Sequence, residues 1–153
     1  MRRGIVLLAR LALGAIFLYA AATKVPDMAA FAKDVANYRL LPAALVPFVA
    51  AVVVGIEIVV GLALATGLWA RAAALVAAGM LVVFVAGLSQ ALLRGIDLRC
   101  GCFGGDDAAD WWTVLRDLAM LVPALVVLFT PVPVPRREGT DLAAHLGRMS
   151  TKY

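Results

Sequence analysis

The sequence predicts an all-α integral membrane protein: a four-transmembrane-helix bundle with a short interfacial helix between spans 1 and 2. Hydrophobic residues make up 64% of the 153 residues and charged residues only 16%, whereas soluble domains average about 25% charged residues. The chain also contains four apolar runs, each near the roughly 20 residues with which a helix crosses a bilayer. We therefore expect the apolar surface to be buried in the lipid bilayer.

Each span follows from one apolar run. The first run begins after Arg2 and Arg3 and has the basic start of a secretory signal, but its length and the three runs that follow predict that it is retained. Trp69, Trp111 and Trp112 fall at run ends, where amphipathic rings favour the headgroup zone. The predicted membrane domain covers residues 1–135, a short tail covers residues 136–153, and the spans are about 5–22, 43–65, 70–92 and 113–129.

The connections between the spans differ in length. The short link at residues 67–71 makes the second and third spans an antiparallel hairpin. The longer link after the first span contains Asp27, a favourable helix cap, followed by Met28, Phe31 and Val35 at helical spacing. Because this helix is too short to cross the bilayer, we expect it to lie along the membrane surface.

The distribution of basic residues predicts the orientation. With the N-terminus inside, eight of the 14 Lys and Arg residues are cytoplasmic and six are outside, which agrees with the positive-inside rule. Both termini are therefore expected in the cytoplasm, with the chain in the inner membrane of a bacterium. Because the basic residues stand singly or in pairs at span ends, the net charge of +4 does not indicate a nucleic-acid partner.

The only two cysteines, Cys100 and Cys102, stand in the segment DLRCGCFGGDD between the third and fourth spans. This orientation turns the segment outward, where disulfides persist. A disulfide across one intervening residue would close a very small loop and stabilise little, so a redox role is the better interpretation if the bond forms. Two inert thiols remain an alternative. A zinc site is not expected, because structural zinc takes about four ligands.

Glu57 lies near the middle of the second span, where carboxylates are costly and usually functional. It is a candidate for proton transfer or for a hydrogen bond to a quinone-like molecule, and the alternative is a polar contact between helices, to Gln90 or Lys24. Gly61 is on the same helical face and leaves room for a helix or a ligand. Lys24 and Arg116 are expected at the outer surface, where either could bind an anionic group or serve as an anchor.

Several of these residues together resemble the MauE branch of the DoxX-like membrane proteins. The resemblance covers about residues 5–130, and its most specific part is the CGCFG element that begins at Cys100. The other matching residues are Lys24, Asp27, Phe31, the YRLLP element at 38–42, Glu57, Gly61 and Arg116.

The resemblance implies a redox-associated protein needed to produce methylamine dehydrogenase, whose small subunit is rich in disulfides. Cys100 and Cys102 would then be the catalytic pair, exchanging thiol and disulfide electrons with a thioredoxin-like periplasmic partner or with a disulfide-containing client. The resemblance also makes a quinone a plausible cofactor, without indicating where it binds. From the residues themselves, Glu57 is a candidate for catalysis, and the candidate binding residues for a quinone or an anionic group are Glu57, Gly61, Lys24 and Arg116.

Two alternatives belong to other classes of function. One is a noncatalytic membrane assembly subunit that docks a partner on the interfacial helix and the cysteine segment. The other is a Cu(I)-handling membrane protein, because two thiolates suit that soft ion. The client, the direction of electron flow and the oligomeric state are left open by the sequence.

Overall fold

The computed structural model describes residues 2–96 and 110–130, and every regular element in this part of the chain is helical. Lys24 is followed by a 3₁₀ turn, Val25–Asp27, and a second such turn, Ala43–Leu45, precedes the third helix. The helices are α1 Arg2–Lys24, α2 Met28–Asn37, α3 Val46–Thr66, α4 Ala70–Leu93 and α5 Trp111–Phe129. The four long helices agree with the four predicted spans, with ends that differ by a few residues.

The four long helices form a bundle in the cyclic order α1, α3, α4, α5. The most extensive contacts join α1 to α3 and α4 to α5, and further contacts join α1 to α5 and α3 to α4. All four helices contribute to one apolar core, made by Leu13, Phe17, Val60, Leu64, Ala73, Ala74, Ala77, Leu81, Ala124 and Val127. The small alanines on α4 and α5 allow these helices to approach closely.

The outer face of the bundle is apolar as well. Large hydrophobic side chains are exposed on each long helix, among them Leu8, Val59, Val83 and Phe129. An exposed apolar surface of this extent indicates contact with a membrane or with another protein. Four helical stretches among the described residues are long and apolar enough to cross a membrane. The described part of the chain is therefore all-helical, with four apolar helices suited to membrane spans.

The predicted short helix between the first two spans is present as α2. Its first turn is capped by Asp27, which accepts a hydrogen bond from the Ala30 backbone N–H at 2.8 Å. Phe31 is buried against Ala21 of α1 and against Ala50 and Val54 of α3. The helix thus packs alongside the first half of α3, and its position at the membrane surface stays a prediction.

The connections between the helices lie at two opposite ends of the bundle. The tight link between α3 and α4 uses Gly67 in the left-handed conformation, at φ 83°, where a side chain would be strained. At the opposite end, Tyr38 and Ile96 pack against the buried residues Leu88, Ala91 and Val114. The segment between Ile96 and Asp110 therefore begins and ends at the same end of the bundle as the end of α2.

Candidate functional site

Glu57 of α3 is paired with Lys24 of α1 inside the bundle. The Lys24 ammonium donates a hydrogen bond to Glu57 Oε1 at 2.5 Å, and the two residues are only 3% and 2% exposed. Lys24 Nζ also lies over the ring of Phe31, 5.1 Å from its centroid, where a cation interacts favourably with the aromatic face. The pair therefore neutralises two charges that would each be costly in the membrane interior.

A second carboxylate, Asp117 of α5, is buried beside this pair. Asp117 is 3% exposed and close enough to Lys24 to interact with it electrostatically. The neighbouring Arg116 donates to Asp117 Oδ1 from Nη2 at 3.1 Å and from Nε at 3.2 Å, and its side chain is 35% exposed. The site thus combines two carboxylates with one buried and one half-buried cation, so the four charges sum to zero.

A small cavity of about 30 Å³ lies between these groups, and its lining includes Lys24, Glu57 and Asp117. Glu57 Oε2 is buried and has no hydrogen-bond partner among the described residues. A buried carboxylate oxygen without a donor is costly, and this mostly apolar cavity, with the three charged side chains in its wall, is large enough for a water molecule. The arrangement is suited to holding a water molecule, or the polar end of a ligand, against Glu57.

A larger cavity of about 270 Å³ adjoins the small one, with Lys24 and Phe84 in the walls of both. It lies between α2, α3 and α4, and apolar side chains form most of its lining. Cavities of this kind, mostly apolar with a few polar groups at one end, are typical of small-molecule sites.

The predicted site residues take different positions in this structure. Lys24, expected at the outer surface, is instead buried and pairs with Glu57, one of the two contacts considered from the sequence. Gly61 is a point of helix contact, because a Cβ there would come within 2.7 Å of the Leu18 side chain of α1. Arg116 binds Asp117 and does not contribute to the walls of the two cavities.

Cys100 and Cys102, together with the CGCFG element, lie outside the described residues, as does the tail from residue 131. Between residues 2–96 and 110–130, no group of three or more His, Cys, Asp or Glu side chains is arranged to hold a metal ion. The described part of the candidate site therefore consists of the buried charges and the two cavities.

The sequence analysis missed the burial of Lys24 and Asp117, although helical spacing carries a signal for both. Lys24 continues the series of buried α1 residues Leu13, Phe17, Ala20 and Lys24, which recur every three or four positions. Asp117 likewise continues the buried α5 series Thr113, Asp117, Ala124 and Val127. Extending the apolar face of each helix through its charged residue would have placed both side chains inside the bundle.

Comparison with known proteins identifies the family. The family model described as "Methylamine utilisation protein MauE" matches residues 2–130. The curated "Methylamine utilization protein MauE" of Paracoccus denitrificans is 35% identical over 136 residues, which covers 85% of this chain and 73% of that protein. No solved structure matches the chain. The chain is therefore a member of the MauE family.

Proposed function

We propose that this protein is a bacterial inner-membrane component of methylamine utilisation that carries out thiol–disulfide exchange at Cys100 and Cys102. The observation that carries the proposal is the placement of the only two cysteines of a MauE-family chain one residue apart, in the segment that joins two membrane-spanning helices. Two thiols so close in the chain are suited to forming and resolving a mixed disulfide.

The proposed exchange is a two-electron reaction. The thiolate of one cysteine attacks a disulfide of the partner, forms a mixed disulfide and releases one partner thiol. The second cysteine then attacks the mixed disulfide, so that Cys100 and Cys102 become a disulfide and the partner becomes a dithiol. The same steps in reverse order oxidise the partner and reduce the disulfide between Cys100 and Cys102. We propose a thioredoxin-like periplasmic protein, or a disulfide-containing client such as the small subunit of methylamine dehydrogenase, as this partner.

The described residues support a partner surface near the cysteine segment. Ile96 and Asp110, which flank the segment, are at the end of the bundle where Tyr38 packs against α4 and α5. We propose that this end faces the periplasm, with both termini in the cytoplasm. The interfacial position proposed for α2 would then make it part of the same docking surface.

Sustained turnover requires a second redox partner, because a single dithiol only shuttles one electron pair. A membrane quinone is the class that we propose, and the buried Lys24 ammonium and the unpartnered Glu57 Oε2 offer a donor and an acceptor that fit its carbonyl and hydroxyl forms. A quinone would accept the two electrons and two protons released when the dithiol becomes a disulfide.

The wider DoxX-like relationship also stays a prediction.

Thiol trapping in cells tests the proposal. Single variants Cys100→Ser and Cys102→Ser, each with one thiol left, should accumulate a mixed disulfide with the partner, which mass spectrometry of the adduct identifies. The wild-type pair should be found partly oxidised after acid quenching and alkylation. If neither variant gives an adduct and the wild-type pair is never oxidised, the thiol–disulfide proposal is wrong.

The double variant Cys100→Ser/Cys102→Ser separates the remaining candidates. A noncatalytic assembly subunit should support growth on methylamine without its cysteines, whereas an exchange protein should not. Copper that copurifies with the wild-type chain and is lost from the double variant would indicate Cu(I) handling instead of exchange.

A further inference from the structure

The cavity between α2, α3 and α4 has the size and the walls of a ligand site. Its volume of about 270 Å³ exceeds the roughly 150 Å³ that holds a benzene molecule in an apolar protein cavity. A substituted ring or a short hydrocarbon segment therefore fits. The walls include Phe31, Tyr38, Val53, Phe84 and Gly87, and the rim residues Leu40 and Val83 are largely exposed, so that the cavity is open to the outside of the bundle.

Lys24 gives this apolar cavity one polar end. An ammonium group has three N–H donors, and Glu57 Oε1 is the one hydrogen-bond acceptor that Lys24 has among the described residues. Lys24 also interacts electrostatically with Asp117, and its Nζ lies over the Phe31 ring, a wall of the same cavity. Lys24 is 3% exposed, and buried donors are expected to find acceptors. The site therefore has donor capacity left for a ligand oxygen.

The charges around Lys24 indicate which oxygen would be bound. The formal charges of Lys24, Glu57, Asp117 and Arg116 already sum to zero, and Asp34 adds a further carboxylate to the cavity wall. An added carboxylate or phosphate would therefore leave a net negative charge around the cavity. Such an uncompensated charge is costly. A neutral carbonyl oxygen accepts a hydrogen bond from Lys24 without this cost.

We infer that the cavity binds an uncharged lipophilic molecule whose carbonyl oxygen accepts a hydrogen bond from Lys24 and whose apolar body lies against Phe31, Tyr38 and Phe84. A prenylated quinone and a bilayer lipid with an ester carbonyl both provide this chemistry. The inference rests on the cavity and not on the cysteines, so the Cys100→Ser/Cys102→Ser variant should bind such a molecule as the wild type does.

Binding of two matched probes to the purified full-length protein in nanodiscs tests the inference. The first probe is a benzoquinone with one isoprene unit and a photoreactive tag, and the second is the same tagged, prenylated ring without carbonyl oxygens. We expect Lys24→Met to weaken binding of the quinone probe about tenfold or more, as loss of a hydrogen bond to a charged group does. Binding of the carbonyl-free probe should be nearly unchanged. Equal binding of both probes by the wild type would overturn the inference, because the carbonyl would then have no role.

A cavity-filling variant makes the test independent of the ion pair. Val53→Phe places a larger side chain in the cavity wall, whereas Val59→Phe makes the same change on an exposed position of the same helix. Photolabelling of peptides that contain Tyr38 or Phe84 should be lost in Val53→Phe and kept in Val59→Phe. Labelling that is equal in both variants would show that the probe binds only the lipid-facing surface and would contradict the inference.

The natural source of the ligand is decided by organic extraction of the purified protein. A prenylquinone released in stoichiometric amount identifies the quinone pool as the source, and an ester lipid that competes with the quinone probe identifies the bilayer. Loss of either molecule from Val53→Phe, with retention in Val59→Phe, assigns it to the cavity.

Discussion

Lys24 and Glu57 are separated by 33 residues in the chain. They meet because α1 and α3 run antiparallel and pack against each other. The mid-span position of Glu57 marks it as a buried carboxylate from sequence alone, because a charge there is costly without a partner. The sequence alone does not decide whether its partner is Gln90 or Lys24, because that depends on how two helices align. The structure selects Lys24, and the side-chain oxygen of Gln90 has no partner among the described residues.

Removal of Lys24 should destabilise the bundle strongly. Lys24→Met leaves Glu57 buried without its cation, and loss of one member of a buried ion pair typically costs about 3–5 kcal/mol. We expect a decrease of this order in the free energy of unfolding, measured by denaturant titration in detergent.

Two further variants make this measurement specific. Lys33→Met removes a lysine from an exposed position of α2 and should leave stability nearly unchanged. Lys24→Met/Glu57→Leu removes both charges and should recover much of the loss, because an apolar pair can replace a buried ion pair. A single Lys24→Met variant as stable as Lys33→Met would contradict a structural role for the pair.

At the scale of the helices, α1 and α3 approach closely through two glycines. A Cβ at Gly14 would lie 3.1 Å from the Gly61 carbonyl oxygen, and one at Gly61 would lie 3.1 Å from the Gly14 carbonyl oxygen. The sequence identifies Gly61 as a position that leaves room for a helix or a ligand. Only the packing of α1 against it decides in favour of the helix.

A larger side chain at Gly61 should push these helices apart. Gly61→Leu would place atoms against Leu18 and the Gly14 backbone, and overpacking of this kind typically costs about 1–3 kcal/mol. Gly55→Leu is the matched control, because a Cβ at Gly55 meets nothing within 4 Å. Unfolding in detergent should therefore show a loss of stability in Gly61→Leu alone, and equal stability of the two variants would be inconsistent with the close contact.

The start of α5 should respond to pH through its cap. The Thr113 backbone N–H and hydroxyl donate to Asp110 at 2.9 and 3.0 Å, and these bonds lower the pKa of the Asp110 carboxyl below its ordinary value. A carboxyl whose pKa is lower in the folded protein stabilises the fold above its unfolded pKa. This contribution is lost as the pH falls through the folded pKa.

Asp110→Asn tests this dependence, because asparagine still caps the helix but does not titrate in this range. Wild type should lose stability relative to Asp110→Asn as the pH is lowered from neutral through and below the ordinary aspartate range. Thermal unfolding of both proteins across this range measures the difference. Parallel stability curves would show that the cap does not contribute through its charge.

At the scale of the whole molecule, the connection between α3 and α4 and the connection between α4 and α5 lie at opposite ends of the antiparallel bundle. The Gly67–Trp69 link joins α3 to α4 at one end, and Ile96 and Asp110 lie at the other. The proposed orientation turns the first of these ends to the cytoplasm and the second to the periplasm.

Cysteine labelling in intact cells tests the orientation. A membrane-impermeant maleimide should label Cys100 and Cys102 from outside after mild reduction. Leu68→Cys in the Cys100→Ser/Cys102→Ser background should be labelled only after the membrane is opened, since Leu68 is exposed in the opposite link. The reverse pattern would place the cysteines in the cytoplasm and would contradict the proposal that they face an oxidising compartment.

The sequence by itself determined the helical class, the four apolar spans, the cap at Asp27 and the MauE resemblance. These features depend on residues that are close together in the chain, such as the apolar runs and the CGCFG element. The tertiary structure decided that Lys24 and Asp117 are buried, that Gly61 contacts α1 and that a cavity adjoins the ion pair. The reason is that a charged residue near a helix end can face water or the bundle, and only the packing of the other helices determines which of these it does.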